Sequence, residues 1–169
     1  SEPFLKSGIS DSYVTKILFD KKGNLWVATR NIGLFKIKKL ANNTFSIVSM
    51  ANRMSKEFKN YAKTEDILSL YEGKDGSIWI GTKGSGLCKY NVKTDRFKWY
   101  NKQDGLEADN IVGIIGDLKG NIWLSSNSGV ARLDVKTNTF TRFTKNDGLL
   151  SNDFNRNATF RDEQGIIYF

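Results

Sequence analysis

The sequence predicts an all-β fold, a partial β-propeller of about three and a half four-stranded antiparallel blades. Three observations support this prediction. A short glycine-to-aromatic motif recurs along the chain, each full copy is accompanied by further strand-like segments, and no unit shows the 3.6-residue apolar periodicity of helical repeats. The 169 residues, 39% of them hydrophobic, are enough for one globular domain or for part of a larger one.

The repeated motif contains Gly, a polar residue, an aliphatic residue and an aromatic residue. Its copies are Gly23–Trp26, Gly76–Trp79, Gly120–Trp123 and the weaker Gly165–Tyr168, with spacings of 53, 44 and 45 residues. The repeat unit is therefore about 44 residues long, with roughly nine residues inserted once. Within a single domain, 1–169, these spacings predict blades over about 11–50, 64–103 and 109–146, a partial blade over 154–169 and an insertion over 51–63.

The third unit shows how each copy supplies four strands. Residues 111–115 form an apolar run that is typical of a strand covered on both faces. Trp123 lies in the next segment and is large enough to fill the space between neighbouring sheets. Residues 130–135 alternate apolar and polar side chains, and 139–144 carry Thr and Arg. This fall in hydrophobicity is expected from the inner strand of a propeller blade to its rim.

The insertion has a pattern of its own. Met54, Phe58 and Tyr61 follow helical spacing among charged residues, which predicts a short amphipathic helix. Its apolar side either packs on the propeller or covers the ligand face as a lid. Cys88 occupies the position of Phe35 and Ala131 in the other units, so we expect a small buried side chain rather than a reactive thiol.

Composition disfavours several classes of function. The chain has one Cys and no His, which excludes an intrachain disulfide, a Ser-His-Asp or Cys-His catalytic arrangement and a His-bound metal. We therefore expect no cofactor or metal and no enzymatic activity in this fragment. The recurring Asp20, Asp117 and Asp162 are expected to bind backbone at peripheral turns, and not to form the paired carboxylates of a glycosidase. Neither a membrane span nor a signal peptide is visible in this segment.

The net charge indicates which classes of binding partner are favoured. Lys and Arg number 26 against 18 Asp and Glu, giving a formal charge of +8. This excess favours anionic partners such as nucleic acid, acidic glycans or an anionic surface, unless it is only a solvated basic surface. The basic residues are scattered along the sequence, so no nucleic-acid partner is expected.

At these motifs the chain resembles a known family. The pattern Asp-x-x-Gly-Asn, an aliphatic residue and Trp, at Asp20–Trp26 and Asp117–Trp123, is similar to the two-component regulator propeller repeat. The second unit departs from it with Gly73 and Ser77, and the fourth has Tyr168 in place of Trp. In that family the repeat builds the extracytoplasmic sensor of hybrid two-component histidine kinases of gut Bacteroidetes. The resemblance implies a periplasmic location, an oligosaccharide ligand and a membrane-anchored parent protein whose kinase lies outside this fragment.

The candidate ligand site follows from propeller geometry. Ligands usually bind at the axial mouth, between the loops that join strand 2 to strand 3 and the junctions between blades. Amide, hydroxyl and cationic side chains there suit a polyhydroxylated sugar, acidic ones included. The alternative for each residue is a turn position occupied for backbone reasons. The candidates are Arg30, Asn31, Lys83, Ser85, Asn110, Asn127, Asn152 and Arg156.

The sequence is compatible with more than one mode of assembly and more than one function. Three and a half blades cannot close a ring, so we expect a piece of a larger propeller that forms a homo-oligomer or associates with missing blades. A ligand sensor is the first functional hypothesis. A non-catalytic scaffold for protein interaction or dimerisation is the second, and a propeller glycosidase or lyase is the third.

Overall fold

A computed structural model describes residues 7–57 and 66–169. Within these residues it contains three four-stranded antiparallel sheets and one two-stranded sheet, which confirms the predicted all-β, unclosed propeller arc. The strands are β1 (Val14–Phe19), β2 (Leu25–Thr29), β3 (Leu34–Lys39), β4 (Phe45–Ser49), β5 (Ile67–Glu72), β6 (Ile78–Thr82), β7 (Leu87–Asn91), β8 (Arg96–Tyr100), β9 (Ile111–Gly116), β10 (Ile122–Ser126), β11 (Gly129–Asp134), β12 (Thr139–Phe143), β13 (Phe160–Arg161) and β14 (Ile167–Tyr168). A helix, α1, spans Ala51–Glu57, and single 3-10 turns occur at Ile9–Asp11, Lys102–Asp104 and Lys145–Asp147.

Strand order within each sheet follows chain order, so every neighbouring pair is a hairpin. The first strands, β1, β5 and β9, contact one another from sheet to sheet. They are therefore the inner strands of three successive blades, and β4, β8 and β12 are the outer ones.

The tryptophans of the repeat lie between the sheets. Trp26 is fully buried, and its ring centroid lies 5.7 Å from that of Tyr90 in the second sheet. Trp79 is equally buried, in a cluster with Ile122 and Leu133 of the third sheet. Trp123 is only half-buried and stacks on Phe143 of its own sheet. Each fully covered indole thus packs one blade against the next.

A cation lies opposite each of these indoles. Trp26 pairs across the sheet with Lys36, Trp79 with Lys89, and Trp123 with Arg132. The three cationic groups lie 5.3, 5.1 and 5.9 Å from the ring centroids. This cation–π pairing is a regular part of the repeat.

The recurring spacing of Asp and Trp within the repeat has a direct structural cause. The Asp20 carboxylate accepts hydrogen bonds from the Trp26 indole N–H at 2.9 Å and from the Asn24 amide at 2.8 Å. Asp117 binds Trp123 in the same way, at 3.1 Å. These carboxylates also accept backbone N–H groups, as the sequence predicted. The additional bond to the aromatic side chain ties the turn between strands 1 and 2 to the residue that fills the blade interface.

The second sheet replaces this bond because it has Gly73 in place of the aspartate. A Cβ atom at this position would lie 2.9 Å from the indole nitrogen of Trp79. The Trp79 ring therefore lies against the turn backbone and leaves no room for a side chain. Asp75, two residues later, forms an ion pair with Lys89 at 2.8 Å instead.

The Asp–Trp bond predicts a pH-dependent stability. Burial raises the pKa of the Asp20 carboxyl, but bonds from Trp26 and Asn24 outweigh burial, and this pKa lies below its ordinary value of 3.8. The stabilisation is therefore fully present above pH 4 and is lost as the pH falls through the lowered pKa. We expect Asp20→Asn to reduce the free energy of unfolding by about 1–3 kcal/mol at pH 7, with the difference from wild type shrinking below about pH 4. Urea unfolding from pH 7 to pH 2.5 measures this.

The control for that experiment is Asp153→Asn, since Asp153 is exposed in the segment after the third sheet. It should change stability little at any pH. If the free energy of unfolding of Asp20→Asn stays below that of wild type by the same amount down to pH 2.5, the charge of the Asp20 carboxylate contributes nothing to stability.

Helix α1 packs on the propeller. Met54 is fully buried in the core cluster between the first and second sheets, and α1 contacts β8. Arg53 forms an ion pair with Asp95 at 2.6 Å. The part of the insertion that is described thus agrees with the packing alternative, whereas Phe58 and Tyr61 lie outside the described residues. Cys88 is fully buried, which confirms its predicted role as a small core residue.

Candidate functional site

The loops joining strands 2 and 3 lie beside the junctions between blades, at one end of the sheets. We call this end the loop face; it comprises residues 9–13, 30–33, 66, 83–86, 101–110, 127–129 and 144–156. Backbone bonds hold each loop to a junction, as in Arg30 N–H to Tyr13 O at 2.9 Å and Gly129 N–H to Asn152 O at 2.7 Å. The loops and junctions named from the sequence therefore form one continuous surface.

Arg30 is held by the junction that precedes the first sheet. Its carbonyl accepts a 2.8 Å hydrogen bond from the Ser12 hydroxyl. Its guanidinium lies 5.5 Å from the centre of the Tyr13 ring, which is itself two-thirds exposed. A cation beside an exposed aromatic ring can offer both hydrogen bonds and an apolar face to a ligand.

Asp66 connects the first two loops, and it is not among the residues that the sequence motifs indicated. Its carboxylate accepts the Asn31 backbone N–H at 3.2 Å and lies 3.9 Å from the Lys83 amine. Its carbonyl accepts the Lys83 backbone N–H. The position directly before an inner strand, shared with Tyr13 and Asn110, was the signal that could have identified it.

Asn31 and Ser85 are shaped by their turns. Asn31 has a positive φ of 72°, as Gly84 has in the second loop, so backbone geometry accounts for an Asn at this position. Ser85 is buried, and its hydroxyl oxygen has no hydrogen-bond partner among residues 7–57 and 66–169. Leaving a buried hydroxyl unpaired costs about 1–3 kcal/mol, so a bound water or ligand group would relieve this cost.

The remaining candidates lie in the third loop and in the junctions that follow the second and third sheets. Asn110 forms an isolated bridge with Lys83. Asn127 is exposed, and Arg156 is exposed in a turn before β13. The Asn152 side-chain oxygen accepts the Lys145 backbone N–H at 2.8 Å, so its amide is already fixed. The structure thus brings Arg30, Asn31, Lys83, Ser85 and Asn110 onto adjacent segments of the loop face and places Asn127, Asn152 and Arg156 farther round the arc.

Arg142, which the sequence did not single out, lies outside the loop face, but its side chain reaches two loop-face residues. Its guanidinium donates to the Ser128 carbonyl at 3.0 and 3.2 Å and to the Glu107 carboxylate. It lies on outer strand β12, and it is exposed, as expected for an Arg of the outermost strand. Alternation within a strand could not show that this side chain reaches back over a loop.

Charges on the loop face nearly balance. Lys102 pairs with Asp109 at 3.3 Å, Arg142 with Glu107, and Lys83 with Asp66. These pairs are exposed or partly exposed, so each contributes little stability. They hold the loops in place while leaving both donors and acceptors available, which suits a ligand rich in hydroxyl groups.

Each inner strand carries a register irregularity at its loop-face end, near Thr15, Leu68 and Val112. Side chains of neighbouring sheets bind carbonyls there: Thr15 Oγ1 donates to Ile67 O at 2.6 Å and Ser69 Oγ to Ile111 O at 2.9 Å. Bulges of this kind redirect strand ends, and here they join adjacent blades near the axis.

No helix among the described residues combines the length and the apolar character that crossing a membrane requires.

The described residues form a β-propeller arc with a polar loop face. Comparison with known proteins shows which propeller families this chain resembles. Residues 8–31 and 63–84 match the family model described as "Two component regulator propeller". This match confirms the resemblance inferred from the Asp-to-Trp motifs. A relative named histidine kinase P4, from Formosa agariphila, is 28% identical over 172 residues, covering 100% of this chain and 12% of the relative.

Solved structures show the same fold. The extracellular domain described as hybrid two-component system BT3049 of B. thetaiotaomicron superimposes with a TM-score of 0.75 at 22% identity, over 93% of this chain and 20% of that one. The extracellular domain of BT4673, described as a one-component system of the same organism, gives 0.70 at 19% identity, over 91% and 20%. Virginiamycin B lyase of Staphylococcus aureus gives 0.63 at 10% identity, over 89% and 46%. At these identities the likeness establishes the β-propeller fold.

Residues 8–31 and 63–84 are therefore similar to two-component regulator propeller repeats, and the fold of the chain is a β-propeller. It spans 12% of the curated relative and 20% of the two Bacteroides structures.

Proposed function

We propose that this chain is a ligand-sensing segment of a periplasmic propeller in a two-component regulator, and that it is not itself an enzyme. The match of the repeat to the two-component regulator propeller carries the proposal. The names of the relative, a histidine kinase, and of the structural neighbours, extracellular domains, support it. The kinase that receives the signal lies outside this sequence.

The ligand that we propose is an oligosaccharide bound at the loop face. Sugar hydroxyls need mixed donors and acceptors at close spacing, and the Arg30, Lys83 and Asp66 groups supply both. Tyr13 adds an exposed ring of the kind that packs against sugar C–H surfaces. The unpaired Ser85 hydroxyl offers a further buried partner.

A calorimetric titration tests this proposal on the complete protein that contains the segment. We expect one oligosaccharide from a panel of plant and host glycans to bind. The double variant Arg30→Ala/Lys83→Ala should weaken this binding about tenfold or more, because it loses charge-assisted hydrogen bonds. Lys38→Ala is the matched control, since Lys38 is an exposed cation near the opposite end of β3 and should leave the affinity unchanged. Equal losses in both variants, or no binding to any glycan, would contradict a loop-face sugar site.

A protein-interaction or dimerisation scaffold is the second candidate, favoured by exposed apolar side chains on the first and last sheets. Ile17 and Phe19 are 57% and 68% exposed, and Phe160 is 63% exposed. Such surfaces normally meet another protein surface. Light scattering distinguishes the candidates: a scaffold forms a concentration-dependent oligomer that Phe19→Lys disrupts, while a pure sensor segment binds glycan whatever its oligomeric state.

A further inference from the structure

The fold gathers basic residues at the end of the second and third sheets that lies opposite the loop face. Two adjoining cavities of about 280 and 120 Å³ share Lys89 and Val135. Together they form a groove, which we call the turn-face groove, lined by Lys74, Lys89, Arg96, Lys98, Asn91 and Asn138. In the sequence these cations look scattered, and only the blade geometry brings them together.

The turn-face groove has a surplus of positive charge. Asp75 supplies its carboxylate, which lies 2.8 Å from Lys89. Arg96 and Lys98 are exposed and form no ion pair with any residue that the structure describes. Lys98 lies directly across the sheet from Lys89, and like charges placed opposite each other in a sheet are destabilising. An anion bound between them would remove this repulsion.

The basic pair is particular to the second sheet. By strand register, Ser46 and Val48 occupy the positions of Arg96 and Lys98 in the first sheet. Thr139 and Thr141 occupy them in the third sheet. Strand formation at these positions therefore does not require cations, so the fold alone does not explain their presence.

The other groups in the groove indicate which anion fits. Asn91, Thr94 and Asn138 add amide and hydroxyl groups, and Asn138 accepts a 3.1 Å bond from the Tyr100 hydroxyl. The aromatic side chains of the groove, Phe97, Tyr100 and Trp79, are 8%, 3% and 1% exposed, and Lys98 covers the Tyr100 ring at 4.7 Å. Stacking of nucleobases needs exposed ring faces, which this groove does not offer. Hydroxyl-bearing chains with carboxylate or sulfate groups need only cations and polar partners.

We infer that the turn-face groove is a second binding site, independent of the loop face, and that it takes an acidic oligosaccharide through Arg96 and Lys98. Its ligand carries carboxylate or sulfate groups on a polyhydroxylated chain. Because the site uses none of the loop-face residues, it does not depend on the function proposed above.

The test titrates the full chain with tetragalacturonate, a sulfated carrageenan tetrasaccharide and neutral maltotetraose, using calorimetry and ¹H–¹⁵N spectra. We expect at least one acidic tetrasaccharide to bind and to shift the amide signals of β8, and maltotetraose to bind at least about tenfold more weakly. Whichever of the two acidic tetrasaccharides binds more tightly shows whether the groove prefers carboxylate or sulfate groups.

The variant Arg96→Thr/Lys98→Thr copies the third sheet, so it should fold and melt at or above the wild-type temperature while losing about tenfold or more in affinity. Lys38→Thr/Lys39→Thr removes the same charge from the first sheet and should change affinity less than about twofold. Absence of binding by both acidic sugars, or equal losses in the two double variants, overturns the site. Tighter binding of a single-stranded oligonucleotide of equal charge, lost in Arg96→Thr/Lys98→Thr, overturns the assignment to a sugar.

Discussion

Replacing Trp26 or Trp79 with Ala should lower the free energy of unfolding by about 3–5 kcal/mol, the cost of emptying a fully buried indole site. Both side chains are 0–1% exposed between two sheets, and Trp26 also loses its bond to the buried Asp20. Chemical denaturation of the full chain, followed by circular dichroism, measures the loss.

Trp123→Ala is the internal control for that prediction. This indole keeps the same motif and the same bond to Asp117, but it is only half-buried because the sheet beyond it has two short strands. Its replacement should cost roughly half as much or less. Equal losses at all three positions would mean that the tryptophans stabilise their own sheets and not the contact between blades.

Gly86→Ala should destabilise the fold almost as much as the loss of a buried indole. Gly86 has a positive φ of 76°, and a Cβ atom there would lie 2.5 Å from the Tyr100 carbonyl oxygen. Left-handed strain and the clash with an outer-strand backbone together predict a loss of about 2–4 kcal/mol. Thermal unfolding of the full chain reports it.

Gly84, two residues earlier, is the control that distinguishes backbone strain from the clash with the outer strand. Its φ is also positive, at 88°, but a Cβ atom there meets nothing within 4 Å among the residues that the structure describes. Gly84→Ala should therefore cost only about 1 kcal/mol. If Gly84→Ala and Gly86→Ala unfold at the same temperature, the close approach of the loop to the outer strand does not constrain this turn.

The blade pattern could be predicted from the sequence because it is a property of local spacing. Gly23 and Trp26, repeated at Gly76 and Trp79, signal a turn and a large interface residue within a few positions of each other. The same logic correctly placed Cys88 in the core. Periodicity of two and recurring turn glycines are short-range signals, so no tertiary information was needed.

The site was harder to predict because it depends on contacts between repeats. The sequence named the loops and junctions but not Asp66, whose one sequence signal was its position before an inner strand. Its role depends on Asn31 and Lys83, in the loops of two different sheets, both lying close to its carboxylate. Arg142 was missed because its side chain leaves the outer strand and crosses to the Ser128 carbonyl. Which of the eight named residues contact a ligand stays a prediction.

The turn-face groove shows the same limit. Lys89, Arg96 and Lys98 are separated by other residue types in the sequence, and their spacing gives no dense basic block. Only the pairing of β7 with β8 and the adjacent third sheet place them around one cavity.

Trp26 and Trp79 each pack against the following blade, and nuclear Overhauser contacts of Trp26 test this packing most directly. The structure predicts strong contacts between the Trp26 indole protons and the Tyr90 ring of the second sheet, whose centroids lie 5.7 Å apart. A Trp26 indole with contacts only to β1 and β3 of its own sheet would contradict the blade arrangement and the loop face built on it.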